Sequence, residues 1–396
     1  MKLLTLNDSG LPVLLILMVA ATMIFSLFLM QALLIILLLV YLYYCFDTKQ
    51  ILFAKSPLDI FIIIFIATRV LSIFMSTDFN LSVQYFYKEI IFYSFYFIFH
   101  FYLSKKEKDY QILLLKILII AAVLSSLYGT TKVLLGIVER AESSTSGYFT
   151  LGTFLTTIYA IVIASGKNQK VFANRYLWII SLIVILVGIL FTYNRTHWGI
   201  VAAITLFVGI TRERILLLVV LVSAVISIVL IPSLTERFMQ LIHFSQNYSD
   251  RDVIWSGARI LLFQRPVFGF GIGTFREIFP LFNQLQDKGV GSWHSDYFQM
   301  YFESGVLGLT ALLMLMYRIF FVTIKALRSK YSTILEKDIM FSVLLGVATL
   351  YLTAFLSGFI LSPINSIQFF LLISLLSANS FNERIMSNPE SQIIKP

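Results

Sequence analysis

The chain opens on two apolar runs that follow one another almost without a polar break, "LPVLLILMVAATMIFSL" at residues 11–27 and "LMQALLIILLLVYLYYC" at residues 29–45. Each is close in length to the ~20 apolar residues that a helix needs to cross the hydrocarbon core of a bilayer. A backbone in hydrocarbon has to satisfy its hydrogen bonds within its own segment, so both runs are predicted to be α-helices. The chain therefore begins with a predicted hairpin of two membrane-spanning helices.

The same pattern continues along nearly the whole chain, whose 396 residues are 59% hydrophobic and only 13% charged. A soluble domain of this length would need far more polar surface. The sequence therefore predicts an all-α, polytopic membrane protein with about twelve transmembrane helices. The predicted spans lie near residues 11–27, 29–45, 58–75, 83–102, 111–136, 149–165, 176–192, 198–210, 215–231, 296–317, 339–358 and 365–380.

The short basic loops fall on alternate connections between these spans, for example "KKEK" at residues 105–108 and the pair Arg212 and Arg214. The positive-inside rule makes such loops cytoplasmic, and with them both chain termini. The predicted regions are helices 1–9 at residues 1–231, an external segment with an amphipathic helix and candidate site residues at 232–295, helices 10–12 at 296–380, and a cytoplasmic tail at 381–396.

Several basic residues lie on the external side, against the trend of that rule. A charge at the outer end of a span is costly unless it is paired or lines a wet cavity. Snorkelling to lipid headgroups could explain any one of them, but the whole set predicts an anion site, because arginine grips phosphate oxygens bidentately. The set comprises Arg69, Lys88, Lys132, Arg140, Arg195, Arg237, Arg251, Arg259, Arg265, Arg276 and Lys288.

The external segment contains a predicted helix, "SDRDVIWSGARILLFQ" at residues 249–264, which should stop before Pro266. Arg251, Trp255 and Arg259 are spaced by four residues, so they lie on one face of this helix. That face presents two cations and an aromatic ring to a ligand. The alternative is an amphipathic helix at the membrane surface, with Trp255 in the aromatic belt.

Three glycines follow in "PVFGFGIGTF", at positions 269, 271 and 273. Their spacing resembles that of a dinucleotide-binding loop, but no strand precedes them, so that interpretation is rejected. Glycine also permits tight turns and close backbone approach. We expect a tight external turn whose backbone comes close to a ligand.

His294 stands at the start of the tenth predicted span, in "GSWHSDYFQMYFESGVLGL" at residues 291–309. Imidazole is the side chain whose ordinary pKa suits a general base near neutral pH. The alternative is an interfacial histidine that caps the span through a hydrogen bond. Glu303, nine residues further on, would lie on the opposite face of a straight helix and is interpreted as a packing or capping residue, unless the helix starts after His294.

The order of these features resembles the O-antigen ligase and O-antigen polymerase family of bacterial inner-membrane glycosyltransferases. Arg251-x-x-x-Trp255 leads into the glycine run, and His294 follows with "GVLGL" behind it. Arg195, which opens the eighth span, matches the other signature position of the family. Arg140, in "ERAESSTSGYF", resembles less specifically the arginine that precedes the sixth span.

This chain departs from the family pattern at two positions. Asn194 stands before Arg195 where serine is common, and Ser295 follows His294 where asparagine is common. Both substitutes can still form hydrogen bonds, so we expect both changes to be tolerated.

The resemblance implies transfer of a glycan from undecaprenyl diphosphate to a sugar hydroxyl at the periplasmic face, with inversion at the anomeric carbon. It implies His294 as the base, with Arg195 and Arg251 on the diphosphate, while the positions expected to bind diphosphate or glycan are Arg140, Trp255 and Arg259. No cofactor, metal ion or nucleic acid is expected. The acceptor is lipid A-core in a ligase, the first choice, or another carrier-linked glycan in a polymerase, and the residues do not distinguish the two.

A transporter or flippase of lipid-linked anions is the rival hypothesis from another class of protein. It would also explain many spans and a basic cavity, but it predicts charges near the bilayer midplane and an internal inverted repeat. The interiors of most predicted spans are free of charge, and one long external segment breaks the symmetry. The enzyme is therefore preferred.

Overall fold

The computed structural model describes residues 10–105, 108–166, 168, 170–212, 214–230, 232, 234–236, 239, 251–285 and 290–387. All regular structure in these residues is helical. The helices are α1 (Gly10–Thr22), α2 (Leu27–Thr48), α3 (Asp59–Phe74), α4 (Phe79–Ser104), α5 (Lys108–Leu134), α6 (Tyr148–Ala164), α7 (Arg175–Phe191), α8 (Arg195–Thr211), α9 (Arg214–Leu230), α10 (Arg251–Leu261), α11 (Phe275–Ile278), α12 (Asp296–Leu327), α13 (Ile334–Ala354) and α14 (Pro363–Ser387), with a 3₁₀ turn at Phe282–Gln284.

A long helix overlaps each predicted span, and most of the helix ends lie within a few residues of the predicted ones. Four helices, α2, α5, α12 and α13, are long and apolar enough to cross a membrane, and α1, α6, α7 and α8 are apolar but shorter. The all-α class is therefore confirmed for the described residues. Twelve transmembrane helices and the division into four regions stay predictions.

Polar side chains mark where several helices begin. Ser26, Asp78 and Asn174 each accept a hydrogen bond from a backbone N–H in the first turn of the helix that follows. Thr333 and Glu336 form a reciprocal capping box at the start of α13. These bonds satisfy donors that the helix leaves without a partner, and so they fix the helix boundaries within the apolar sequence.

The helices pack into one bundle around a continuous apolar core, with α3 against α12, α4 against α14 and α6 against α13. The ends that carry the candidate residues meet at one end of this bundle, which we call the site end. There Thr77, between α3 and α4, donates its N–H to the carbonyl of Phe270 at 2.8 Å. Ser295, at the start of α12, donates to the carbonyl of Ala354 at 3.1 Å.

The described part of segment 232–295, which the sequence predicts to be external, has an apolar core of its own beside the site end. Ile254 and Leu261 of α10 pack there with Phe275, Phe279 and Trp293. Gly257 lets α10 approach Phe279 closely, because a Cβ at this position would lie 2.3 Å from the ring of Phe279. This second core attaches the segment to α12, since Phe302 belongs to the same cluster.

Helix α12 is broken at Gly305, whose φ of 66° and ψ of −166° are not helical. The glycine run closes the break. Phe270 and Gly271 donate their N–H groups to the carbonyls of Phe302 and Glu303, at 2.7 and 3.1 Å. Broken helices are tolerated in membranes where protein satisfies the freed backbone groups. The segment 296–304, here called α12a, is therefore a short helix, and His294 lies two residues before its first residue.

The predicted tight turn is present at Gly269, Gly271 and Gly273, which all have positive φ values. The backbone of this turn approaches other parts of the protein closely. A Cβ at Gly269 would lie 2.4 Å from the carbonyl carbon of Glu303, and one at Gly271 would lie 1.9 Å from Oγ of Ser76. The glycines therefore let the turn pack against α12 and the α3–α4 connection, which differs from the expected approach to a ligand.

Candidate active site

Arg195 lies at the first position of α8, where its side chain is exposed at the site end. Asn194 sets this helix start, because its side-chain oxygen accepts from the N–H of Thr196 at 3.0 Å. Asparagine and serine are both strong N-cap residues. The departure from the family pattern at Asn194 thus keeps the capping interaction that places Arg195.

Arg251 begins α10 and is half-buried. Its Nη2 donates to the carbonyl of Leu356 at 2.7 Å, in the 355–362 loop that joins α13 to α14. Burial lowers the pKa of Arg251 below its usual value, and the positive charge of nearby Arg195 lowers it further. The two arginines are therefore close enough to repel each other, which an anion between them would relieve.

Arg140 belongs to the same group of cations. Its guanidinium carbon lies 4.5 Å from the ring centroid of Tyr148, the first residue of α6. Tyr148 also raises the pKa of Arg251, opposing the two effects that lower it. These pairwise interactions link Arg140 to Tyr148, Tyr148 to Arg251 and Arg251 to Arg195, and we call the three arginines the row. Among the described residues, no carboxylate lies within ion-pair distance of these three arginines.

His294 is half-buried and has a φ of 50°, which is unusual for a residue other than glycine. Both of its neighbours are fixed. The Trp293 ring stacks on Phe302 with centroids 3.9 Å apart, and Ser295 is bonded to the carbonyl of Ala354. Ala354 lies two residues before Leu356, the partner of Arg251, so both candidate residues are anchored at the same connection.

Asp296 is a buried carboxylate beside His294 to which the sequence analysis gave no role in the site. Its Oδ2 accepts from the N–H of Phe359 at 2.8 Å and from that of Ile360 at 3.4 Å. A Cβ at Gly358 would lie 2.9 Å from its Oδ1. Asp296 therefore holds the 355–362 loop against α12a, and its place directly after the His294-Ser295 pair was the available signal.

Trp255 and Arg259 lie further along α10 and are both exposed. At 1.5 Å per residue they are about 6 and about 12 Å from Arg251 along the helix axis. The structure therefore does not bring Arg259 into the row of arginines. Arg251, Trp255 and Arg259 do lie along one helix, as predicted. A ligand would have to extend along this helix to contact all three side chains.

Two of the cations predicted to be external have carboxylate partners. Arg69 is fully buried between Glu89 and Glu303, and Nζ of Lys132 lies 2.7 Å from Oε1 of Glu142. Fewer cations than the sequence suggested are therefore candidates for binding an anion. The buried Arg69, Glu89 and Glu303 also show that the predicted spans carry charges near the site end. Arg237 and Lys288 lie outside the described residues.

Two further histidines have partners within the helix bundle. Buried His197 contacts Thr153, with Nε2 and Oγ1 3.1 Å apart, and His100 contacts the carbonyl of Lys55 at 3.4 Å. His243 lies outside the described residues. Within the described part of the chain, no three His, Cys, Asp or Glu side chains are grouped so that they could hold a metal ion.

Comparison with known proteins bears on residues 180–313, which match a family model described as O-antigen ligase. The match contains Arg195, Arg251, Trp255, Arg259 and His294, and it ends before α13. No curated protein matches the chain. Residues 180–313, which include Arg195, Arg251 and His294, are therefore similar to the O-antigen ligase family.

Proposed function

We propose that this protein is an O-antigen ligase, which transfers a glycan from undecaprenyl diphosphate to a sugar hydroxyl of lipid A-core at the periplasmic face of the bacterial inner membrane. The observation that carries the proposal is that Arg251, with Arg195 as a charged neighbour and no carboxylate partner among the described residues, is bonded to Leu356, two residues from the Ala354 carbonyl that holds Ser295 beside His294. The family match supports the enzyme class.

The arginines suit the diphosphate of the donor. Arg251 uses one N–H on Leu356, and a guanidinium has five, so donors remain for phosphate oxygens. When the bond from the anomeric carbon to the diphosphate breaks, negative charge develops on the leaving oxygen. Arginines that are held in place and partly shielded from water stabilise such charge without reorganisation.

His294 supplies the base in this mechanism. Its neutral imidazole takes the proton of the acceptor hydroxyl while the acceptor oxygen bonds to the anomeric carbon from the face opposite the diphosphate. The configuration at that carbon is therefore inverted, and the proton passes from His294 to solvent. Undecaprenyl diphosphate leaves as an anion and needs no proton. Trp255 and Arg259, exposed along α10, are proposed to contact the glycan.

The charges at the two ends of the bundle support a periplasmic site. The end opposite the site carries interhelix pairs such as Lys108 with Glu336 at 3.0 Å and Arg212 with Asp338 at 3.4 Å. These residues lie at helix ends, next to loops that the positive-inside rule assigns to the cytoplasm. After Cys45 is replaced by serine, a cysteine at exposed Ser144 should react with an impermeant thiol reagent in intact spheroplasts. A cysteine at exposed Lys330 should react only after permeabilisation, and the reverse pattern would contradict this orientation.

A polymerase that uses a carrier-linked glycan as acceptor is the alternative, since it shares the donor and the site chemistry. Deleting the gene distinguishes the two. Loss of a ligase leaves full-length chains on the carrier and bare core on lipid A. Loss of a polymerase leaves single repeat units attached to the core. Gel analysis of the surface polysaccharide and of the lipid-linked intermediates distinguishes the two outcomes.

A further inference from the structure

The segment α12a has a functional residue at each of its ends. His294 lies two residues before its first residue, Asp296, and Glu303 lies in its last turn, directly before Ser304 and the break at Gly305. About 10 Å of helix axis separates Asp296 from Glu303, at 1.5 Å per residue. Contacts that hold Glu303 in place therefore also restrict the movement of α12a and of His294.

Glu303 is fixed by a guanidinium that is completely shielded from solvent. Nη2 of Arg69 lies 2.7 Å from Oε2 of Glu303 and 2.6 Å from Oε1 of Glu89, while Nη1 donates to Oγ of Ser304 at 3.0 Å. Tyr93 donates to the second oxygen of Glu89 at 2.7 Å. The side chains of Arg69, Glu89 and Glu303 are at most 4% exposed.

The remaining acceptors of Glu303 bind the glycine run and α3. Its Oε1 accepts from the N–H of Gly273 at 2.8 Å and from the amide of Gln299, and its carbonyl accepts from Gly271 N–H and from the hydroxyl of Ser72. One residue thus joins Arg69 on α3, the glycine turn and the broken end of α12a.

Aromatic packing continues from this end of α12a to the histidine. Phe302, next to Glu303, stacks on Trp293 at 3.9 Å, and Trp293 precedes His294. Phe275 and Phe279 meet the Trp293 ring edge to face, with centroids 4.9 and 5.8 Å away. A shift of Glu303 would therefore move the surface against which Trp293 is packed.

We propose that Arg69 and Glu303 are positioning residues for the transfer reaction: their buried ion pair fixes α12a and the glycine turn, and so sets where His294 meets the acceptor hydroxyl. The inference rests on the proposed function of His294. Neither residue touches the substrate. Both act through the helix that carries the base.

The first experiment separates positioning from folding. Glu303→Gln keeps the shape and an acceptor oxygen, and Arg69→Lys keeps the charge but not the fork of donors. For the same amount of folded enzyme in nanodiscs, we expect kcat to fall about 10- to 100-fold, as for other misplaced catalytic groups, with the KM for the carrier-linked donor little changed. Wild-type kcat per folded molecule would overturn the proposal.

Glu336→Gln is the matched control, because it removes the carboxylate of another interhelix pair at the opposite end of the bundle. It should change kcat by no more than about twofold, as is usual for substitutions away from a critical contact. If it lowers kcat as much as Glu303→Gln does, the effect is a general one on the bundle and the proposal is overturned.

A second measurement does not depend on activity. With Trp178, Trp198 and Trp255 replaced by phenylalanine, Trp293 is the only fluorophore of its kind, and it is 1% exposed. Acrylamide should quench it more strongly in Glu303→Gln and Arg69→Lys. Unchanged quenching would overturn the proposal even if kcat falls. If His294→Ala keeps wild-type turnover, the proposed base fails, and quenching alone then decides whether the pair holds this segment.

Discussion

Arg69 and Arg251 lie near the same end of the helix bundle, yet their guanidinium groups have opposite surroundings. Arg69 is fully buried against two carboxylates, Glu89 and Glu303. Arg251 is half-buried, donates to a carbonyl and has a second cation, Arg195, as its neighbour. In a buried ion pair the charges are neutralised within the protein. Neighbouring cations repel each other, and only a bound anion neutralises them. The comparison distinguishes an arginine that holds the fold from one prepared for a ligand.

The largest effect expected from this comparison is on stability. Arg69→Ala leaves Glu89 and Glu303 buried without their cation, which should cost about 3–5 kcal/mol. Arg251→Ala removes a cation from a site without a paired carboxylate among the described residues, and should cost much less. Thermal unfolding of both variants in the same detergent measures the difference. Equal losses would mean that the two arginines do not differ in the way described.

The site arginines, which matter less than Arg69 for stability, should matter most for the rate of glycan transfer. Arg195→Ala and Arg251→Ala should each reduce transfer by about 100-fold or more while folding is retained, as is found when one donor to a developing anion is removed. The lysine variants should recover only part of it, because an ammonium cannot form the bidentate contact. The assay uses membranes with carrier-linked donor and lipid acceptor. Wild-type donor binding in both alanine variants would rule out the diphosphate role.

Much of this comparison could not be made from the sequence. The apolar runs predicted the helices, because the bilayer leaves few other ways to satisfy the backbone. Glu303 was expected on the face opposite His294, which assumed one straight helix containing both residues, whereas α12 begins at Asp296, after His294. The break at Gly305 and the pairing of Arg69 with Glu303, 234 positions along the chain, depend on tertiary contacts. Arg69 was therefore grouped with the site cations from its predicted position alone.

Site residues were predictable to the extent that their neighbours in sequence fix them. Arg195 follows a capping residue at a helix start, and local sequence indicates such a position. The row formed with Arg140 and Arg251 joins three distant parts of the chain, and only the resemblance to a family suggested it. Asp296 was missed because its partners, Phe359 and Ile360, are backbone groups that carry no side-chain signal.

An effect of similar size, but confined to turnover, is expected at His294. Glutamine can keep a hydrogen bond at this position but cannot accept a proton, so His294→Gln should lose turnover by roughly 100-fold or more, within the range for general bases. Donor affinity should stay close to wild type, since the arginines remain. Because only neutral imidazole can act as the base, wild-type turnover should fall in acid, and this dependence should be absent from the residual activity. Near-normal turnover of the glutamine variant would exclude proton abstraction by His294.

The smallest expected effect concerns how Arg195 is placed. Asn194→Ala removes the oxygen that accepts from the N–H of Thr196, which should cost about 1 kcal/mol of stability, while Asn194→Ser should cost almost nothing because serine caps equally well. Arg195 keeps its charge in both variants, so a fall in transfer would come from fraying of the first turn of α8. We therefore expect Asn194→Ala to reduce kcat modestly and Asn194→Ser to match wild type, measured with thermal unfolding on the same samples. A serine variant as impaired as the alanine variant would show that Asn194 contacts the substrate itself, and the row of site residues would then have to include it.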